Sequence, residues 1–493
     1  MSLTNALNNA VSGLRANARL AEVTSGNLAN ALTPGYGRQS VTLSALAPGG
    51  QPGGVRVEGL NRAMDPEISA ARRLADADLA GADAKADALL RIEAAIGKTD
   101  DPSSLVNRIG AFENGLRELG ESPGTPAQQE AAARAATDLA GKFNRISNEI
   151  TAVRESADRE IAARVEAVNG SLRTISRLNR EIQIFEATAR DSAALFDERE
   201  RLIDEVSQNL PVRRTERADG RIELATREGL PLVDTRARRI EFVPTPTFAA
   251  GSSGSGLTLG GRDITPDPSG SLPQRIRDGA LAGLFAVRDA IAPKMGLRID
   301  SIAADIASRF EDPAVDPTVD VAAGRLGLFT DAQAALPAPT QAGIMGFASR
   351  IEVNRQVDPG RSGDAALMRD GVNATGARAQ SDPRIPNAMR DTLLDARDAN
   401  VPPATPGVAG VFTPAARATA VTELAATDRV AAEAEISVLG TTRNALADEE
   451  SATLGVDEDA ELQRLVQIEQ AYAANAQVIQ ATSRMLEELT RIR

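Results

Sequence analysis

The strongest constraint on this chain is a seven-residue repeat at its far end. Leu465, Tyr472, Ile479 and Leu486 fall seven apart, and Ile468 and Leu489 each follow a member of that series by three residues. No Gly or Pro interrupts the run after Gly455. Such spacing places one narrow apolar seam on a long helix, and a seam of that width packs against another helix. The start of the chain offers the partner. Leu7, Leu14, Ala21 and Leu28 are also seven apart, with Leu3 and Ala10 beside them. The two ends read as a coiled-coil pair, with everything else inserted between them.

Composition narrows what the insertion can be. Across 493 residues there are 11 Phe, 2 Tyr and no Trp, so the core has to be built from aliphatic helix seams. The 55 basic and 68 acidic residues give a net charge of −13, which argues against the basic face that a nucleic-acid binder needs. The acidic excess reads as solvation. Cys and His are both absent. That removes thiol nucleophiles, disulfides, the usual zinc and copper ligands, and the commonest general base near neutral pH. There is no phosphate-cradling P-loop, and the glycines of Gly251–Gly261 lack the strand-turn-helix context of a dinucleotide site. The carboxylate pairs Asp197/Glu198 and Glu449/Glu450 fall on helices patterned as solvated, and read as wet faces rather than acid–base machinery. No catalysis, cofactor or metal is expected. Residues 1–10 lack a basic cluster followed by an apolar run, and no stretch is long and apolar enough to span a bilayer. Neither a cleaved signal nor membrane insertion is expected.

The chain divides by its periodicity. Residues 3–32 read as a helix closed by Thr33-Pro34-Gly35. Gln39 to Leu46 alternates like a strand, and Val55–Val57 supplies a return strand across the turn at 48–54. Asp65-Pro66-Glu67 is a helix start, and Gly97 closes that helix. A short helix from about Pro102 to Leu119 precedes a long helical region over 126–209, with Ile161, Val168, Ile175 and Ile182 seven apart and a break at Asp191-Ser192. At Leu210-Pro211 the period shortens. Apolar runs separated by Asp219-Gly220, Gly229 and Asp234 read as hairpins. Helix resumes at Leu272 and continues through Phe310. Residues 311–345 are irregular, Ala348–Val353 is strand-like, and 402–414 is a Pro/Gly linker. From Ala415 helix runs nearly to the end, with breaks at Gly440 and Gly455. The fold expected is mainly α with a small β-domain. An inner terminal helix pair comprises 1–62 and 441–493, an elongated helical bundle 63–210 and 269–440, and an inserted β-rich outer domain 211–268.

The terminal seams differ from the bundle seams in their amides. Asn5, Asn8, Asn9, Asn17, Asn27 and Asn30 crowd the first helix, and Gln463, Gln467, Gln470, Asn475, Gln477 and Gln480 the last. So polar a pair is weakly stable alone and is expected to order on assembly. Amides both donate and accept, which suits packing among subunits.

Two runs carry a resemblance. Thr24-Ser25-Gly26-Asn27-Leu28-Ala29-Asn30, leading to Thr33-Pro34-Gly35-Tyr36-Gly37-Arg38-Gln39, resembles the N-terminal motif of the flagellar axial proteins of rod, hook and hook-associated type. Gly455-Val456-Asp457 through Leu465, then Gln470-Ala471-Tyr472, Asn475-Ala476-Gln477-Val478-Ile479 and the closing Thr490–Arg493, is similar to the end of the hook-associated members. In the middle, Arg277–Leu284, Arg288-Asp289 and Ile299–Ile306 resemble their inner helix. Two departures stand out. Ser25-Gly26-Asn27 replaces the family's Ser-Asn-Asn or Ser-Asn-Ile, and Phe310-Glu311-Asp312 stands where Asn and His are frequent.

The resemblance implies a structural, non-enzymatic subunit: an adapter ring at the hook–filament junction, required for filament assembly, with a hook or distal-rod protein as the alternative. It implies as partners further copies of the chain in a ring, the hook protein, a second hook-associated junction protein, the flagellar export apparatus, and an export chaperone on the last helix. It implies no nucleic acid and no membrane insertion. The place is the flagellum outside the cell, reached without a cleaved signal. Assembly is expected to rest on Leu7, Leu14, Ala21, Asn27, Asn30, Gly35 and Tyr36 at one end and Leu465, Tyr472, Asn475, Ile479 and Leu486 at the other. Two other classes make distinct demands. A secreted carboxylate enzyme needs two convergent carboxylates in a concave site. A cytoplasmic coiled-coil scaffold would never reach the medium.

Overall fold

The computed structural model describes residues 3–33, 36–46, 53–188, 192–267, 272, 275–398 and 409–491. Helix α1 (Leu3–Ala29) ends three residues earlier than the spacing predicts. The cause is Asn30: its side-chain amide donates to Gly26 O at 2.9 Å, and its backbone N–H is shared by the carbonyls of Gly26 and Asn27. Those bonds cap the open carbonyls of the last turn. Strands β1 (Gln39–Leu46) and β2 (Gly54–Arg62) form an antiparallel hairpin with an irregularity between Thr42 and Leu43. Helix α2 (Pro66–Ile96) begins where Asp65 accepts from the backbone N–H groups of Glu67 and Ile68, at 3.0 and 3.1 Å.

Helix α3 (Leu105–Glu121) starts later than Pro102 because Ser104 is its N-cap, accepting from the Asn107 N–H. Helices α4 (Pro126–Ala187) and α5 (Ala193–Asn209) follow. The seven-residue series Ile161, Val168, Ile175 and Ile182 is buried throughout. Strands β3 (Val212–Glu216), β4 (Ile222–Thr226) and β5 (Pro231–Val233) make one antiparallel sheet in that order, and β6 (Ile240–Glu241), β7 (Thr258–Leu259) and β8 (Arg262–Asp263) make a second. The helix expected from Leu272 begins only at Ala280, as α6 (Ala280–Ala286), after Gly279 at a φ of 96°. A π-turn at Val287–Ile291 leads into α7 (Ala292–Arg309).

Beyond it, β9 (Phe329–Asp331) pairs with β10 (Ile351–Val353) around α8 (Gln341–Ile344). Helices α9 (Leu367–Asp370) and α10 (Arg384–Leu394) precede β11 (Arg397–Asp398), which pairs with β12 (Val411–Phe412). Helix α11 (Pro414–Leu454) runs through Gly440 without the expected break, and Gly455 separates it from α12 (Glu458–Arg491).

The chain forms two compact units. The first comprises Met1–Leu79, Ala167–Arg239 and Leu439–Arg493, the second Ala80–Glu166 and Ile240–Val438. The β3–β5 sheet belongs to the first and β6–β8 to the second. In the first unit, Leu172, Ile175, Leu178 and Ile182 of α4, Leu202, Ile203 and Val206 of α5, and Ile222 and Leu224 of β4 are all buried. Asn179 fastens the sheet to the helix, donating to Ile222 O at 2.8 Å and accepting from Ile222 N–H and Arg199. In the second unit, Phe112, Phe310 and Phe329 stack edge and tilt, with ring centres 5.4 to 5.8 Å apart. Helices α2 and α6 cross there at glycine. A Cβ on Gly283 would lie 2.3 Å from Gly81 O. Buried Arg288 in the π-turn pairs with buried Asp158 at 2.6 Å and lies over the Phe285 ring.

Candidate functional site

Helices α1 and α12 pack against each other in the first unit. Two points fix them as antiparallel. Asn27 meets Glu461, and Gly13 lies against the Asn475 side chain, so the same 14 residues separate the points on both helices. The seam on α12 is the series Glu461, Leu465, Ile468, Tyr472, Asn475, Ile479, Thr482 and Leu486, alternating steps of four and three. Its deepest members are Glu461, Ile468 and Thr482. Leu465, Asn475 and Ile479 are half-buried, whereas Tyr472 and Leu486 remain 49% and 38% exposed. On α1, Ala10, Ala16, Val23, Thr24 and Asn27 are buried, and Leu7, Leu14, Ala21, Leu28 and Asn30 are half-buried. Gly35 lies outside the described residues.

At the end of the pair, four segments converge on one amide. Asn27 is fully buried. Its Nδ2 donates to Gln39 O at 2.8 Å and to Glu461 Oε2 at 3.2 Å. Its Oδ1 accepts from Gln39 N–H and from the Tyr36 hydroxyl, both at 2.9 Å. Both donors and both acceptor positions are therefore used. Toward Gln39, the first residue of β1, the side chain behaves as a neighbouring strand would, pairing with N–H and C=O of one residue. Glu461, only 1% exposed, receives Arg38 Nε at 2.8 Å on its other oxygen. The Arg38 backbone N–H in turn donates to Leu454 O, at the end of α11. The structure thus brings Asn27 and Tyr36 into one cluster.

The same loop is tied to α5. Asp197 accepts from Arg62 Nε at 2.6 Å and from the Gly37 N–H. A Cβ on Gly37 would sit 2.6 Å from Arg62 Nε, so a larger residue there would push the Arg62 side chain aside. Burial pushes the Asp197 carboxyl above the usual range, and Arg62 offsets only part of that. Burial, helped by the charges of Asp197 and Glu461, also raises the Tyr36 phenol, which stays a donor at neutral pH.

Beside this loop lies a cleft of about 440 Å³, bordered by Tyr36, Met64, Arg72, Arg214 and Glu450. Its charges are matched. Arg72 reaches Asp76, Asp204 and Glu450, Arg73 reaches Glu200 and Asp204, and Arg214 reaches Glu200. Burial raises the Glu200 carboxyl, but Arg73 and Arg214 outweigh it and hold the group below the usual carboxylate range. Asp197 and Glu450, expected on solvated faces, are instead partly buried members of these ion pairs. Their arginine partners come from β2 and α2, which a local reading of α5 and α11 cannot see. The arrangement joins α2, α5 and α11 through matched ion pairs. Among the described residues, no group of acidic side chains is placed to hold a metal ion, and no helix is long and apolar enough to cross a membrane.

Glu461, Arg38, Gln39, Arg62 and Asp197 are the site residues that periodicity missed. One signal was available: Glu461 lies four residues before Leu465 and seven before Ile468, on the seam itself. A charge there calls for a buried partner.

Residues 89–313 match the family described as "Flagellar hook-associated protein FlgK helical domain". Residues 452–492, which hold α12 and Glu461, match "Flagellar basal body rod FlgEFG protein C-terminal". Flagellar hook-associated protein 1 of Bacillus subtilis is 31% identical over 218 residues, 42% of this chain and 43% of that protein. Its namesake in Escherichia coli is 26% identical over 251 residues, 49% of this chain and 46% of that protein. The solved structure of the flagellar hook junction protein FlgK from Burkholderia pseudomallei shares 20% identity at a TM-score of 0.43, covering 52% of this chain and 46% of that one. The chain spans somewhat under half the length of the curated relatives it matches. The middle of the chain, residues 89–313, is thus similar to a flagellar hook-associated helical domain, and its end, residues 452–492, to a flagellar rod-type C-terminal segment.

Proposed function

We propose that the chain is a structural subunit of the bacterial flagellum, an adapter at the hook–filament junction on which filament assembly depends. The observation that carries this reading is the surplus of apolar surface on α12. Leu462 and Val466 flank the seam on one side, Val478 and Met485 on the other, and each is between 45% and 54% exposed. One partner helix covers one seam. A helix with apolar strips on both flanks as well is suited to further neighbours.

The neighbours proposed are further copies of the chain in a ring, the hook protein on one side and a second hook-associated protein on the other. Before assembly the same strips of α12 would meet an export chaperone and the export apparatus. The assembly residues are those of the helix pair and its polar end: Leu7, Leu14, Ala21, Asn27, Asn30, Tyr36, Leu465, Tyr472, Asn475, Ile479 and Leu486, together with Gly35. The helical middle favours the junction over a hook subunit, which would carry a larger β-rich middle. The work is mechanical, and its place is the flagellum outside the cell.

The test is Val478→Glu with Met485→Glu, two changes on an exposed strip. The purified protein should melt within 2 °C or so of wild type, since exposed charges cost little. Cells carrying the variant should shed filament subunits into the medium, and antibody against the wild-type chain should mark one band between hook and filament. Attached filaments in the variant, or label spread along the hook, would overturn the reading.

A further inference from the structure

The apolar seam of the terminal pair leaves its own register open. On α1, Leu7, Leu14, Ala21 and Leu28 repeat every seven residues, and on α12, Leu465, Tyr472, Ile479 and Leu486 do the same. Sliding one helix by a heptad, about 10 Å at 1.5 Å per residue, moves each of these residues onto the seat of the next. Leucine then faces much the same partners as before. Small residues such as Ala10, Ala16 and Ala21 add few shape constraints.

The polar residues do not repeat in this way. In the observed register, fully buried Asn27 bonds buried Glu461 at 3.2 Å, and Arg38 bonds the second Glu461 oxygen at 2.8 Å. One heptad away, Leu20 would take the place of Asn27 opposite Glu461. The carboxylate would then face an apolar side chain, and Asn27, still bonded to Gln39, would lose its Glu461 partner. A buried charge or backbone group without a partner is strongly disfavoured. We infer that Asn27 and Glu461 are the register key of the terminal helix pair: they select one packing among heptad-related alternatives that the apolar seam barely distinguishes. A single buried polar pair that specifies register is a recognised use of such groups in coiled coils. The key also ties register to the loop after α1, because Tyr36 and Gln39 share the Asn27 amide.

The chain has no cysteine, so oxidative trapping can read register directly, even from a pair that forms transiently. Gly13→Cys with Asn475→Cys reports the observed register, where the two positions touch. Gly13→Cys with Ile468→Cys reports the register slid by one heptad. In the observed packing that second pair is about 10 Å apart along the helix, beyond disulfide reach. In the otherwise wild-type chain the first pair should oxidise at least 20-fold faster than the second. Adding Asn27→Leu and Glu461→Leu, which removes both halves of the key, should shift the ratio at least tenfold toward the second pair. Glu461→Gln, whose single amide oxygen can accept from only one of Asn27 Nδ2 and Arg38 Nε and which loses the charge, should give an intermediate ratio and guards against a double variant that fails to fold. Circular dichroism confirms that helix content is kept in each. A ratio unchanged by loss of the key would overturn the inference, as would a slid pair that already oxidises freely in the wild-type background.

Discussion

Asn27→Asp tests the polar cluster without disturbing its packing, because the two side chains have nearly the same shape. The change swaps the Nδ2 donor for an oxygen. That oxygen would face Gln39 O and Glu461 Oε2, now 2.8 and 3.2 Å from the amide nitrogen. Two attractive contacts become repulsive, and a second buried carboxylate stands beside the first. A buried charge without a partner costs about 3–5 kcal/mol, equivalent to roughly 10²–10⁴-fold in an opening equilibrium. The introduced group has its folded-state pKa raised by burial and by Glu461. Its favourable contribution is therefore complete below the unfolded value of about 3.9 and is lost as pH rises through the folded value. Protonation restores the donor, so the variant should approach wild type near pH 4 and fall away by pH 8. The assay is hydrogen exchange followed by mass spectrometry on the peptide spanning 36–46, with wild type measured at each pH. Asn27→Ala should be weakened at both pH values, since it has no proton to regain. A gap between Asn27→Asp and wild type that is the same at pH 4 and pH 8 would refute the cluster as drawn.

Three further outcomes are expected. Ile479→Asp places a charge in the half-buried seam at a cost of several kcal/mol; the second unit should melt as before, while filament subunits leak into the medium, and attached filaments would exclude the seam from assembly. Gly283→Ala drives a Cβ to 2.3 Å from Gly81 O, and overpacking of about 1–3 kcal/mol should lower the urea midpoint of the second unit, an unchanged midpoint arguing against the close crossing. Burial pushes the Asp300 carboxyl up to about 6, against the pull of the Ala348 and Gly346 N–H groups; its contribution is full below the unfolded value and is lost as pH rises through about 6, so wild-type stability measured against Asp300→Asn should decline by ~2 kcal/mol between pH 4 and 7, and a flat difference would remove Asp300 as the source.

Much of the helical frame was legible because it rests on local rules. Asp65-Pro66-Glu67 starts α2, Asp191-Ser192 falls between α4 and α5, and Gly455 separates α11 from α12. Where the reading slipped, a side chain or a tertiary contact overrode the local signal. Asn30 closed α1 early by bonding Gly26. Gly440 left α11 intact because an isolated glycine costs a long helix only about 1 kcal/mol. Leu272 has the apolar character of a helix start but is 47% exposed, and α6 waits for Gly279. In the site, the period of the α12 seam was right, but its emphasis was not. Spacing alone shows that Leu465 and Tyr472 share a face with Glu461; it does not show that Glu461 is the deeper. That depth comes from Asn27, 434 positions away, and Arg38, 423 away, and no pattern within a window of one helix contains such partners.

The bond between Asn27 and Glu461 also orders events in time. It joins residues 434 positions apart, and loops that long close late, after local helices have formed. A chain that stops short of α12 can fold each of its earlier helices and still leave the Asn27 amide and the Arg38 guanidinium without one of their partners. Only a chain delivered through its last helix can complete the cluster. At the surface proposed to meet the neighbours, a chain with α12 therefore differs from one without it in whether this polar cluster is closed.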